Sequence, residues 1–177
     1  PAAGWDDLLR SRLAKYRTHW LDQLTLCGEL TWLRLWGEGA GHVKLAPICL
    51  LPRAHLDRWL AWRDVPSTDG LGSDAAALLT ALKEHGASFT DECRRHANLL
   101  PSRFEDGFAE LVTRGLATAD SFAALRALCI APSKRHEDAL AFGVGRVALI
   151  QAPSSPPDVE FVLDRLLARF GLPGHAF

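Results

Sequence analysis

The sequence predicts a mainly α-helical α+β protein, built from tandem winged-helix-like modules with small β-hairpins. Three observations indicate this class. Amphipathic helical segments alternate with short apolar runs that glycine or proline residues bound. Residues 73–150 follow the order helix, strand, helix, helix, strand, strand. The pattern of a helix end, a glycine and a short strand occurs twice, at Gly28 and at Gly115, where a residue tolerant of positive φ is needed.

The first predicted module covers residues 1–66 and is a partial winged helix that carries a basic N-terminal segment. Its expected elements are a helix, a strand, a glycine-rich loop, a second strand and an amphipathic helix, at 18–26, 30–35, 37–42, 48–51 and 54–62. The helix-glycine-strand order repeats that of the following module, so we interpret the two as an internal repeat.

The second predicted module, residues 67–152, is a complete winged helix with a mostly helical insertion at 120–132, in place of a plain wing. Ser73 is expected to cap its first helix, and Ser102 with Glu105 forms the S-x-x-E pattern of a capping box. The expected helices are 73–85, 90–96 and 102–114, and the expected strands are 87–89, 116–119 and 144–150. The third helix has an apolar stripe that predicts its buried face, formed by Phe104, Phe108, Leu111 and Val112.

Residues 153–177 are expected to form a linker and the start of a further helical module. The predicted helix at 158–170 has an apolar stripe that needs a partner. The chain begins with proline and contains no methionine, so we expect it to be a segment of a longer protein.

Composition and charge exclude several classes of protein. The net charge is −1, with nine basic against seven acidic residues in 1–66 and six against nine in 67–133. A free-standing DNA-binding domain is usually clearly basic, so nucleic-acid contact must come from a local patch. No apolar run approaches the roughly 18 residues of a spanning helix. The four cysteines are widely spaced, which predicts buried reduced thiols in a cytoplasmic protein, without a membrane partner or a metal site.

Several short motifs follow one another in a fixed order between Trp20 and Ile150. The longest are C-G-E-L-T-W at 27–32, A-P-I-C-L-L-P-R at 46–53 and E-L-V-T-R-G-L-A-T-A-D-S-F at 110–122. Together they resemble the large helicase-related (Lhr) family of superfamily 2 helicases, in the accessory region that follows the motor domains. Val147 stands where the family pattern has tryptophan, so we expect altered packing at that strand.

The resemblance implies a role in DNA repair beside an ATP-dependent 3′-to-5′ motor. The implied partners are single-stranded DNA or a DNA/RNA hybrid, and the motor domains of the same parent chain. ATP and Mg would bind the motor, so no cofactor and no catalytic residue is expected in this segment, which lacks a phosphate loop. Related winged-helix alkylpurine DNA glycosylases use a Gln-x-Gln motif, which the isolated Gln23 and Gln151 do not form.

A basic cluster around one aromatic ring contains the strongest candidates for nucleic-acid binding: Arg10, Arg12, Lys15, Tyr16 and Arg17. Four cations within eight residues suit phosphate contacts, and the tyrosine ring suits base stacking. The alternative is a solvated helix face whose apolar residues pack inward. Arg34, Trp36 and Lys44, in and beside the first hairpin, are candidates for a second contact.

The third helix of the second module occupies the position of a recognition helix but is acidic. Glu105, Asp106 and Glu110 accompany Arg103, whereas direct base readout favours basic or amide side chains. We therefore expect this helix to be structural, facing another domain or solvent. Two alternatives to nucleic-acid binding stay open, namely a winged-helix module that braces other domains and a glycosylase-like fold without glycosylase chemistry.

Overall fold

The computed structural model describes residues 1–36, 41–130 and 145–171 and confirms a mainly helical α+β fold with small antiparallel sheets. The helices α1–α8 of the described residues are Trp5–Arg12, Thr18–Leu26, Leu56–Leu60, Ser73–His85, Thr90–His96, Pro101–Thr113, Phe122–Cys129 and Val159–Phe170. Their strands β1–β5 are Leu30–Arg34, Ile48–Pro52, Ser88–Phe89, Ala117–Ala119 and Arg146–Leu149. The predicted glycine loop at 37–40, the end of the predicted insertion and Val144 lie outside the described residues.

The elements α4, β3, α5, α6, β4 and β5 follow one another in the order of a winged helix. The middle strand of their antiparallel sheet is β5, which pairs with β3 on one side and β4 on the other. Val147 of β5 is buried between its neighbours. The predicted inner face of the third helix is confirmed, since all four of its apolar side chains are buried against α4 and the sheet: Phe104, Phe108, Leu111 and Val112.

Predictions of where helices begin are less accurate. Gly72, not Ser73, is the N-cap of α4. The predicted capping box is wrong, because α6 begins at Pro101, one residue before Ser102. Proline suits the first helical position, where its fixed φ is already helical and its missing N–H has no partner to lose. The helix predicted over 54–62 is shorter, with α3 covering only Leu56–Leu60 after a 3₁₀ turn.

The two predicted helix-ending glycines are confirmed. Gly28 has φ +82° and Gly115 has φ +73°, and each lies two residues after a helix and two residues before a strand. An L-amino acid with a side chain rarely adopts this backbone conformation, so glycine ends both helices at little cost. The repeat in the sequence is therefore a repeat in local geometry.

Residues of both predicted modules, 1–66 and 67–152, contribute to one hydrophobic core. Trp32 of β1 is completely buried and its indole N–H donates to the Ser121 carbonyl oxygen at 3.1 Å. The backbone N–H of Phe122 donates to Thr25 Oγ1 at 3.2 Å. Both contacts involve the start of α7, so the helix predicted as an insertion joins the two sequence units.

The α8 helix is attached to the first module by one aromatic side chain. Phe161 is buried, and its ring lies 5.4 Å from that of Trp59 and 5.2 Å from that of His55. In the preceding linker, the backbone N–H and hydroxyl of Ser154 donate to Asp57 at 2.7 and 2.9 Å. The opposite face of α8 is apolar and exposed, with Val159, Leu163, Leu166 and Leu167.

Candidate nucleic-acid interface

The basic cluster lies where α1 ends and the chain turns into α2. We call residues 10–20 the α1–α2 corner. Leu13 ends α1 by adopting an extended conformation, and Lys15 turns the chain with φ +60°, which is uncommon outside glycine. Arg17 is the N-cap of α2. The corner therefore presents its cations from a helix end and a tight turn, rather than from one face of a continuous helix.

Three of the four predicted cations are available for a ligand. Arg10 pairs with Asp7 at 3.3 Å, and both side chains are well exposed. Such an exposed pair contributes little to stability and can exchange partners. Arg12, Lys15 and Arg17 are exposed and make no side-chain hydrogen bond or ion pair with the described residues. No acidic side chain among the described residues therefore competes with a phosphate oxygen for these three cations.

The aromatic component of the corner differs from the prediction. The Tyr16 hydroxyl donates to Asp6 Oδ1 at 2.8 Å, and burial together with this carboxylate raises the pKa of Tyr16 to about 12. The exposed ring is that of Trp20, which is 41% exposed. Trp20 meets Tyr16 edge to face at 6.4 Å and His19 at 6.3 Å between ring centroids. Of these two rings, that of Trp20 is therefore the more exposed, and Tyr16 packs against it.

Sequence reasoning did not select Trp20 as a site residue, although one signal was present. Tyr16 lies two residues before α2 and Trp20 lies in its first turn, so the two aromatic residues flank Arg17 in the sequence. His19 adds a third ring. Interleaved aromatic and basic residues of this kind are typical of surfaces that bind single strands.

Arg34, predicted as a nucleic-acid contact, is inside the protein. Its side chain is only 6% exposed, its Nε donates to the Trp36 carbonyl oxygen at 3.1 Å, and its Nη1 donates to the Thr113 carbonyl oxygen. Burial lowers the pKa of its guanidinium. Arg34 therefore connects β1 to the end of α6 and cannot reach a phosphate.

Trp36 and Lys44 are exposed, as a surface contact requires, but they lie apart from the corner in the sequence and share no described contact with it. The ring of Trp36 packs edge to face on Trp59 at 6.1 Å, next to the site where α8 docks. Lys44 lies in a 3₁₀ turn, where its backbone N–H donates to His42 Nδ1 at 3.4 Å. They stay candidates for a second contact.

The charged side chains of α6 are largely engaged within the protein. Arg103, the only side chain suited to base readout near the helix start, pairs with Asp74 at 2.7 Å. Glu110 accepts from the Gly72 backbone N–H at 3.2 Å and pairs with Arg114 at 3.0 Å. Arg103 and Glu110 therefore contact α4 and the segment before it, which the prediction did not include, whereas Asp106 is exposed to solvent as predicted.

Other chemistries find little support in the described part of the chain. No group of three or more His, Cys, Asp or Glu side chains there is placed to hold a metal ion. The prediction of buried thiols is correct for Cys93 and Cys129 and wrong for Cys27, which is exposed. Burial raises the pKa of Cys93 to about 11, which keeps that thiol unreactive.

None of the described helices combines the length and apolarity that crossing a bilayer requires.

We compared the chain with protein-family models and with curated proteins. Neither comparison finds a match. The Lhr resemblance therefore stays a prediction from short motifs. The feature of the described residues that favours nucleic-acid binding is the exposed basic and aromatic surface of the α1–α2 corner.

Proposed function

We propose that this chain is a non-catalytic accessory domain that binds the backbone of single-stranded nucleic acid beside the motor of an Lhr-type helicase in DNA repair. The observation that carries the proposal is the α1–α2 corner. There, three exposed cations without a partner among the described residues lie in the same short segment of the chain, residues 10–20, as an exposed indole ring.

In this proposal, Arg12, Lys15 and Arg17 neutralise phosphates and Trp20 stacks on an unpaired base. Both interactions tolerate any sequence, because every nucleotide has a phosphate and every base has an aromatic face. We expect an affinity on the order of 10⁻⁴ to 10⁻⁶ M, the range of non-specific electrostatic binding. ATP hydrolysis belongs to the parent motor, so saturable ATPase activity of the purified chain would contradict this assignment.

The test is fluorescence anisotropy with a labelled oligonucleotide of mixed sequence, at several salt concentrations. The corner variant replaces Arg10, Arg12, Lys15 and Arg17 with alanine. The matched control removes the same total charge from exposed positions outside the corner, by replacing Lys83, Arg95, Arg146 and Arg165 with alanine. Each variant must retain the far-UV circular dichroism spectrum of the unmodified chain.

We expect the corner variant to lose most of the binding and the control to keep it within a few-fold. For a single strand, log K falls with log salt by about 0.7 for each neutralised phosphate, so three contacts predict a slope of about −2 for the unmodified chain. The slope should approach zero in the corner variant. Equal losses in the two variants would show that net charge, and not the corner, determines binding.

The exposed face of α8 supports a second candidate function, a module that braces other domains of the parent protein. Four apolar side chains on one helix face are exposed opposite the docked Phe161. Burial of such a face against the motor domains would be nearly independent of salt. Under this alternative, replacing Leu163 and Leu166 with aspartate abolishes association with a motor fragment, and the corner variant leaves it unchanged.

A further inference from the structure

Arg126 lies on the inner side of the α1–α2 corner and connects it to α7. Its Nε donates to Asp6 at 2.6 Å and its Nη1 donates to Asp22 at 2.8 Å. Its Nη2 donates to the Thr18 carbonyl oxygen at 3.2 Å, in the first turn of α2. One guanidinium therefore holds a carboxylate of α1, a carboxylate of α2 and the α2 backbone. All of these contacts span more than 100 residues of sequence.

This contact network is more enclosed than most of the other described ion pairs. The side chains of Arg126, Asp6 and Asp22 are between 19% and 23% exposed. The guanidinium carbon also lies 4.9 Å from the centre of the Phe122 ring. Burial alone lowers the pKa of Arg126, but hydrogen bonds and attraction from the two carboxylates outweigh it and raise the pKa overall.

The network ends at the single tyrosine of the chain. Asp6 accepts from the Tyr16 hydroxyl through Oδ1 and from Arg126 Nε through Oδ2. Tyr16 in turn packs against Trp20. Arg126 is therefore connected to the exposed indole through two intermediates, Asp6 and Tyr16.

Charge gives Arg126 a second role. Asp6 and Asp22 lie within the two helices that the α1–α2 corner joins, and unpaired carboxylates there would repel an incoming phosphate. The positive charge of Arg126 offsets part of the negative charge of these carboxylates, and its guanidinium contacts Asp6 and Asp22 within the protein. The exposed cations are then free to act on the ligand.

We propose that Arg126 is a positioning residue for nucleic-acid binding, which holds the α1–α2 corner on α7 and offsets part of the charge of the two carboxylates behind it. The nucleic-acid part of this inference rests on the function proposed above. The positioning part concerns only the geometry around Tyr16, and it can be measured without a ligand.

The positioning part is tested by the titration of Tyr16. Because the chain has one tyrosine, a ¹³C label in the tyrosine ring gives one NMR signal. Arg126→Met should free Asp6 to turn to solvent. The pKa of Tyr16 should then fall from about 12, while burial, the largest cause of the raised pKa, keeps it above the ordinary 10.0. If Asp6 stayed in place without Arg126, loss of the positive charge would raise the tyrosine pKa instead. An unchanged or raised pKa, in protein shown to be folded by circular dichroism at each pH, overturns the positioning role.

The charge part is tested by affinity for the labelled oligonucleotide. Arg126→Met should weaken binding on the order of fivefold, because two carboxylates lose their partner. Adding Asp6→Asn and Asp22→Asn removes both carboxylates and should restore affinity to within about twofold of the unmodified chain. The triple variant leaves no unpaired charge at positions 6, 22 and 126. Its affinity can therefore be measured even if the single variant fails to fold. Unrestored binding in the folded triple variant would overturn the charge role.

The two proposals fail in different ways. If the corner variant binds as well as the unmodified chain, the proposed function is wrong, and the tyrosine titration still decides whether Arg126 positions the corner. If the corner variant loses binding while Arg126→Met keeps both affinity and the tyrosine pKa, the proposed function stands and the role of Arg126 is overturned.

Discussion

Replacing Gly107 with alanine is expected to destabilise the protein, although alanine is the better helix former. Gly107 is buried in the middle of α6, where α4 crosses it. An added Cβ would lie 2.9 Å from the carbonyl carbon of Asp74, 3.0 Å from the backbone nitrogen of Ala75 and 3.0 Å from Leu78 Cδ1. Two of these atoms belong to the α4 backbone and cannot rotate away, so the two helices must separate.

The sign follows from comparing two opposing effects. Overpacking a rigid core costs about 1–3 kcal/mol, and we take the upper end because the obstructing atoms are backbone. Higher helix propensity returns about 1 kcal/mol. We therefore expect the free energy of unfolding to fall by about 2 kcal/mol, as the difference of these terms.

Urea unfolding, followed by tryptophan fluorescence and far-UV circular dichroism, measures this change. Gly41→Ala is the matched control, because a Cβ at Gly41 would meet no atom within 4 Å and its φ is not in the left-handed region. The control should change stability by less than about 0.5 kcal/mol. If Gly107→Ala is as stable as the unmodified chain at an unchanged m value, the expected overpacking between α4 and α6 is wrong. The gain in helix propensity would then equal or exceed the cost of moving the two helices apart.

Three further predictions address the interior and the corner. Arg34→Met should cost about 3 kcal/mol in urea unfolding, because it leaves two backbone carbonyls without their donor, and should leave oligonucleotide affinity unchanged. The raised Tyr16 pKa favours the folded state below pH 10, so stability should fall between pH 10 and about 12; Tyr16→Phe should remove that loss. A thiol reagent should modify Cys27 first and Cys93 only on unfolding, as mass spectrometry would show.

Local patterns predicted most of the winged-helix module because its signals lie within single elements. The 3.6-residue periodicity identified the buried face of α6, and the glycines identified where α2 and α6 end. The capping error at Ser102 arose because two local signals compete there. Proline at the first helical position moved the start of the helix by one residue.

The candidate site was less predictable because it depends on contacts between distant segments. The strand β1 is buried from Thr31 to Arg34. Arg34 was expected at the surface, but the end of α6 covers its side chain. That contact joins residues 79 apart in the sequence. The engagement of Tyr16 likewise depends on Asp6 of α1, which the turn at Lys15 brings within 2.8 Å of the Tyr16 hydroxyl. No periodicity within one helix contains this information.

The helix α7 explains how the α1–α2 corner, the proposed binding surface, is held in place. In a plain winged helix, the strands corresponding to β4 and β5 would be joined by a short wing. Here α7 follows β4, and it supplies Ser121, Phe122 and Arg126 to the first module. The basic corner therefore belongs to the first module in sequence but is held by the second. Changes in α7 should then alter binding without touching the ligand, whereas changes to the exposed cations should alter binding without altering the fold.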